Sequence, residues 1–196
     1  MECGSLDDHE LAAQACEGRE AAFRELLERY ERPVFSLVVR MVRDRALAED
    51  LVQEAFIRAF RGIRSFDPSY KFSSWLFRIA SNVAIDHLRR RKLDTVSIHG
   101  ADHRGHPDGR ERPDLDLPAR DQDPERFTEN RELRERIEAA LTHLRPEYRA
   151  VILLRHLEGH SYEEVAEILE LPLGTVKTHL HRGRAELREL LREFER

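Results

Sequence analysis

The sequence has only two cysteines, Cys3 and Cys16, far apart on a polar N-terminal stretch. That excludes a disulfide framework and any cysteine metal spacing, and a reducing cytoplasm is expected. No apolar run approaches the roughly 18 residues a membrane-spanning helix needs. The longest apolar stretch, Val34 to Val42, is interrupted by Ser36 and Arg40. The start, Met1-Glu2-Cys3-Gly4-Ser5-Leu6-Asp7-Asp8, is acidic, lacks an apolar centre and is no signal peptide. There is no Gly-rich phosphate loop and no plausible catalytic dyad, so enzymatic chemistry is not expected, nor is a cofactor. Aromatic residues make up 7% of the 196 positions, with a single tryptophan, so the core must be mostly aliphatic.

Charge is plentiful but uneven. The net charge is −5, from 33 basic and 38 acidic residues. Between Asp94 and Glu125 nine acidic residues face four basic ones, so that segment alone accounts for −5 and the remainder is neutral. Residues 93–125 also hold Gly100, Gly105, Gly109, Pro107, Pro113, Pro118 and Pro124, without an apolar period. Such a composition reads as a linker. It divides the chain into folded units at 1–92 and 126–196.

Both units read as all-α. Phe23, Leu26, Leu27, Tyr30, Val34, Leu37, Val38 and Met41 recur at helical steps, with Pro33 expected to kink the run. Ala48, Leu51, Val52, Ala55, Phe56, Ala59, Phe60 and Ile63 form one apolar stripe, expected to be buried. A third helix is expected from an N-cap at Ser73 or Ser74 to the cluster Arg89-Arg90-Arg91-Lys92, whose cations suit a helix C-terminus. In the second unit Phe127, Leu133, Ile137, Leu141 and Leu144 are spaced helically, Pro146 fits a first helical position, and Gly159 closes the following helix. Ser161 and Glu164 make a capping box.

The short helix 162–169, the turn Glu170-Leu171-Pro172 and a longer basic helix 173–192 describe a helix-turn-helix. Val165, Leu169, Leu171 and Val176 are its expected core, with small Ala166 where the helices cross. From Gly174 to Arg192 there are five basic and two acidic residues. Thr175, Lys177, Thr178, His181, Arg182 and Arg184 suit base edges and phosphates. A second cluster runs from Phe66 to Arg78, with five aromatics and two cations, a combination that can hold unstacked bases. Trp75, Phe77 and Phe66 are equally compatible with core, whereas Tyr70 and Phe72, flanking Lys71 in a loop, point to binding. Asn82 can pair with a base edge and Arg89 to Lys92 can hold phosphate. A third cluster, Glu49, Asp50, Gln53, Glu54 and Arg58, lies opposite the apolar stripe and by itself is a solvated face.

Three of these segments carry a family resemblance. Ala48-Glu49-Asp50-Leu51-Val52-Gln53-Glu54-Ala55-Phe56 resembles the core-polymerase-binding helix of bacterial sigma factors. Trp75-Leu76-Phe77-Arg78-Ile79-Ala80-Ser81-Asn82 resembles their −10 recognition helix, and Leu171-Pro172-Leu173-Gly174-Thr175-Val176-Lys177-Thr178 the start of their −35 recognition helix. Two domains without further regions resemble the extracytoplasmic-function (ECF) group. The resemblance implies that Asp50, Gln53 and Glu54 dock on core RNA polymerase. It implies that Phe72, Trp75, Arg78, Ile79 and Asn82 shape the pocket for a flipped −10 base, beside the variable loop of Tyr70 and Lys71. Asp86, Arg89 and Arg90 would face duplex promoter DNA, and Lys177, Thr178, His181 and Arg182 would read the −35 groove. It further implies a connector in the polymerase RNA path and an anti-sigma factor that clamps both domains. One other reading stays open, a helix-turn-helix regulator that binds an operator alone; a metal-dependent enzyme is not expected, because the closely spaced His99, His103 and His106 lie in the linker without a cysteine or a supporting helix.

Overall fold

The computed structural model describes the backbone of residues 6–98 and 124–193 and the side chains of residues 6–91 and 133–192. Eight helices make up the described residues: α1 (Asp8–Cys16), α2 (Glu20–Val42), α3 (Arg45–Gly62), α4 (Phe72–Ile98), α5 (Pro124–His143), α6 (Pro146–His156), α7 (Tyr162–Leu169) and α8 (Leu173–Glu193), with a 3₁₀ turn at Ile63–Ser65. The described residues contain no strand, so the Val34–Val42 run is helical, as its period requires. Cys3, most of the acidic segment and the three histidines at 99, 103 and 106 lie outside the described residues.

The first helix is the element that the apolar periodicity of the following residues did not announce. Asp7 and Glu10 form a reciprocal capping box, and Leu11, Ala12 and Ala15 are buried against α2. Asp8 pairs with Arg29 at 2.7 Å and accepts from the Tyr30 hydroxyl. Burial and that carboxylate together push the Tyr30 hydroxyl up to about 12. Cys16 therefore sits on a packed helix, its thiol directed at the Ile63 carbonyl at 3.2 Å.

Helix α2 runs without interruption through Pro33, which lacks a backbone N–H and costs a helix interior about 3 kcal/mol. Just beyond it Val34, Leu37, Val38 and Met41 are fully buried. Each contributes about 1.5–3 kcal/mol on burial, so packing outweighs the proline. On α3 the stripe is buried at Ala48, Leu51, Val52, Ala55 and Ala59, with Ile63 just beyond. Phe60 departs from the expectation: it is 51% exposed, its ring leaning on Phe23 at a centroid distance of 5.4 Å.

Helix α4 begins at Phe72, before the serines proposed as caps, and the Lys71 carbonyl accepts the Trp75 N–H. Ser73 instead bonds Tyr30, and Ser74 is buried. The helix continues past the arginine cluster to Ile98. In the second unit Ala140, Leu141, Leu144, Tyr148, Val151, Ile152 and Leu154 pack α5 and α6 together with Val165, Ile168, Val176 and Leu180 of α7 and α8. Gly159 takes φ +76° in the turn after α6, where its freedom is needed. Leu133, expected inward, is 52% exposed.

Candidate functional site

The helix-turn-helix is built as its sequence signals dictate. The Ser161 hydroxyl accepts the Glu164 N–H, and the Glu164 carboxylate accepts the Ser161 N–H at 2.8 Å. Glu170 ends α7 in the left-handed region at φ 52°, and the Leu171 N–H closes the turn on the Ala166 carbonyl at 3.0 Å. Val165 and Val176 are fully buried, with Leu169 and Leu171 packed against them. Sequence periodicity did not reveal Gly183. A Cβ there would meet the Ile152 Cδ1 at 2.9 Å and the Tyr148 Cβ at 3.2 Å, so glycine sets how closely α8 lies on α6.

On the outer side of α8, Lys177, Thr178, His181, Arg182 and Arg184 are exposed and Thr175 is half-buried. Lys177, His181, Arg184 and Arg188 line a shallow cavity of about 320 Å³ with Tyr162 and Leu180. The Thr178 hydroxyl donates to the Gly174 carbonyl at 2.8 Å, which leaves its oxygen free to accept. Arg184 reaches His156 Nε2 at 2.8 Å. Burial, then the cations Arg184 and Arg155, hold the His156 imidazole below its ordinary pKa, so it suits the acceptor role.

The aromatic loop divides its residues. Tyr70 is 62% exposed, but Phe72, expected to offer its face to a ligand, is 3% exposed. Its ring is held by Tyr30, Phe66 and Trp75 at centroid distances of 5.8, 5.9 and 5.6 Å. Phe72 thus supports the loop from beneath, because the apolar pocket between α2 and the turn at Phe66 stabilises it more than solvent does. Trp75 is half-buried on Phe66 at 5.0 Å, and a Cβ at Gly62 would stand 3.4 Å from its Cζ2. Phe66 and Phe77 are core. Asp67 orders the loop by accepting the Ser69 N–H at 2.9 Å, and that bond holds its carboxyl below the usual range. Farther along α4, Asn82, Arg89 and Arg90 are exposed, while Ile79 and Asp86 are half-buried.

On α3, Asp50, Gln53 and Glu54 are exposed side by side, and Glu54 pairs with Arg58 one turn on. Beside them lies an apolar groove of about 550 Å³ between α2 and α3, lined by Phe23, Leu27, Phe35, Val52, Phe56, Ile57 and Phe60 and edged by Gln53. Ile57 is 44% exposed there. The displaced Phe60 belongs to this groove, which a reading of the helix as buried stripe against solvated face could not separate.

The two halves also touch. Lys71 meets Glu164 at 2.6 Å, Arg78 meets Glu170 at 3.0 Å and Arg89 meets Glu147 at 2.7 Å. Phe77 stands edge-on to His160 at 5.1 Å. Arg149, 5% exposed, donates to the carbonyls of Leu141 (2.7 Å), Leu144 (3.2 Å) and Thr142, and to Met41 at the end of α2. One guanidinium therefore serves the final carbonyls of α5 and of α2, where orphan acceptors and helix dipoles favour a cation.

Among the described residues only helices and turns occur, and a basic helix-turn-helix in one unit with an aromatic, cationic loop in the other is the make-up of a two-part DNA-binding protein. The Sigma-70 region 2 family model matches residues 26–93, and the Sigma-70 region 4 model residues 134–187. The chain is similar to the ECF RNA polymerase sigma factor SigW of Bacillus subtilis, 38% identical over 184 residues that cover 92% of this chain and 95% of that protein. The ECF RNA polymerase sigma-E factor of Escherichia coli K12 is 34% identical over 181 residues, 91% of each chain. The solved structure of CnrH in complex with the cytosolic domain of CnrY resembles this one with a TM-score of 0.67 at 26% identity, covering 95% of this chain and 97% of that one. The chain belongs to the ECF RNA polymerase sigma factors.

Proposed function

We propose that this sigma factor distributes promoter recognition over three surfaces. Residues 1–92 form the unit that binds core RNA polymerase and the −10 element, residues 126–196 the unit that binds the −35 element, and residues 93–125 the connector. The two matched regions, in order and together spanning more than half of the chain, support this reading most directly. Asp50, Gln53 and Glu54 dock on the polymerase, and the apolar groove at Ile57 and Phe60 anchors the same partner. Tyr70, Lys71, Trp75, Arg78, Ile79 and Asn82 capture a splayed −10 base, with Phe72 as the support under Trp75. Asp86, Arg89 and Arg90 lie along duplex DNA next to it. Thr175, Lys177, Thr178, His181, Arg182 and Arg184 engage the −35 groove and its phosphates.

Flipping a base costs a few kcal/mol in lost pairing and stacking. A base stacked on an aromatic side chain recovers about 1–3 kcal/mol, so one capture nearly balances one flip and the duplex grip fixes where it happens. Neither unit performs chemistry; the polymerase makes RNA. The protein works in the cytoplasm, where the polymerase is, and an anti-sigma factor restrains it. The acidic connector occupies the RNA path until transcript displaces it, so neutralising its aspartates should change the abortive transcript profile.

The test is run-off transcription by purified chain and bacterial core polymerase over a randomised promoter pool. Enrichment of sites with two conserved boxes at one spacing is expected. Transcripts from no site, or operator binding by the free chain without polymerase co-purification, would replace this reading with that of a stand-alone regulator.

A further inference from the structure

We propose that α1 belongs to the base-capture apparatus: Asp8 at its start and Cys16 at its end position the two rings on which Trp75 rests. This inference rests on the reading of Trp75 as the platform for a splayed −10 base. The helix ends at Cys16, whereas the matched region 2 begins at residue 26, so nothing in that match assigns α1 a role. The first hold starts at Asp8, whose place is fixed by the Asp7 and Glu10 capping box. Its carboxylate accepts from the Tyr30 hydroxyl, which also bonds Ser73 in the first turn of α4. Arg29 steadies the same carboxylate at 2.7 Å and donates to the Leu6 carbonyl at 2.8 Å. The Tyr30 ring then meets Phe72 at 5.8 Å and stands edge-on to Phe77 at 6.5 Å.

The second hold is at the other end of α1. The Cys16 thiol points between the carbonyls of Ile63, at 3.2 Å, and Phe66, at 3.5 Å. Burial pushes the thiol above its ordinary pKa, so it keeps its proton and remains a donor. The Ile63 carbonyl also accepts the Phe66 N–H at 3.1 Å, so the thiol fastens the turn that sets the Phe66 ring. Burial of Leu11, Ala12 and Ala15 already docks α1 on the rest of the unit. The polar contacts do something else: one ends at the root of α4, the other at the turn before the loop. Between them they fix Phe72 and Phe66, which stand 5.6 and 5.0 Å from Trp75. Aromatic pairs hold preferred tilts, so a support that shifts turns the indole with it. A misplacement of about 1 Å in a positioned group costs about 100-fold in a rate, which is why the base-capture face depends on anchors beneath it.

The test uses the full chain with core polymerase on a promoter taken from the run-off selection. Closed-complex affinity and the rate of strand opening at saturating holoenzyme are measured separately, the second by permanganate time course. Y30F/C16A removes the hydroxyl and the thiol and keeps every ring. It should open the promoter about tenfold more slowly, with closed-complex affinity within about twofold of wild type. V39A, which truncates a buried side chain farther along α2, is the control for lost stability and should open at the wild-type rate. C16S keeps a donor at the same place and should open like wild type, whereas C16A should be slower. Opening by Y30F/C16A as fast as by V39A, or equal slowing by C16A and C16S, would overturn the positioning role. W75A, run alongside, separates the two claims. If it opens the promoter as fast as wild type, the −10 reading falls; if it is slow while Y30F/C16A is not, only the role of α1 falls.

Discussion

Arg149 gives the most demanding test of how the second domain is held. Among the described residues its buried guanidinium has no carboxylate partner, and burial, with Arg43 nearby, lowers its pKa to about 10. Replacing it with methionine keeps the stem's volume and removes every donor. The carbonyls of Leu141, Thr142, Leu144 and Met41 then lose the hydrogen bonds described above. Each buried, unsatisfied acceptor costs about 1–3 kcal/mol, and removing the charge returns part of the desolvation penalty, so a net loss of about 3 kcal/mol is expected. For a chain of this size that lowers Tm by roughly 10 °C. Calorimetry on the full-length protein reads it. A cation whose folded pKa is depressed makes folding less favourable at all pH values below about 10, and relief comes only as pH rises beyond that toward the ordinary guanidinium range. The difference between R149M and wild type should therefore be flat across the neutral range. A variant melting within about 2 °C of wild type would refute the account of Arg149 as the shared cap of two helix ends.

Further perturbations follow from other sites. Gly183→Ala gains about 1 kcal/mol of helix propensity but overpacks Ile152 and Tyr148 at a cost of about 1–3 kcal/mol. Its urea midpoint should fall, and adding Ile152→Val should restore it. Ile57→Glu places charge in the exposed groove; it should leave stability within about 0.5 kcal/mol and abolish co-purification with core polymerase. Trp75→Ala should cost about 2–3 kcal/mol and impair permanganate-detected strand opening more than holoenzyme assembly; equal loss of both would make the residue purely structural. The hydrogen bond from Lys71, aided by the Ser161 N–H, holds the Glu164 carboxyl at about 2 against an ordinary 4.5. Its stabilisation is therefore complete above pH 4.5 and lost as pH falls toward 2. An acid titration should show Lys71→Met losing less stability than wild type over that interval.

The architecture was legible wherever a local rule acts alone. The Ser161 box, Pro146, Gly159 and the apolar steps of α3 and α6 each fix one element without help from the rest of the chain. The first helix was also within reach, because Asp7 and Glu10 carry the same spacing as Ser161 and Glu164. What the sequence could not resolve is depth. Phe60 and Phe72 are identical in type and both stand beside polar neighbours, yet one is exposed and the other buried, since tertiary contacts of Phe23, Tyr30 and Phe66 decide which side of each ring is covered. The domain contact was hidden for a similar reason. Lys71 and Glu164 are 93 residues apart, and no periodicity links positions so distant.

A molecule with one indole carries its own lamp. Trp75 is the sole source of tryptophan emission in the chain, and it is mounted on Phe66 and Phe72 beside the aromatic loop proposed to hold a splayed base. Tryptophan emission from this chain thus comes from one address. Stacking of a nucleobase there should darken it, and the arrival of melted promoter becomes a stopped-flow trace on unlabelled protein, timed against RNA synthesis in the same cuvette.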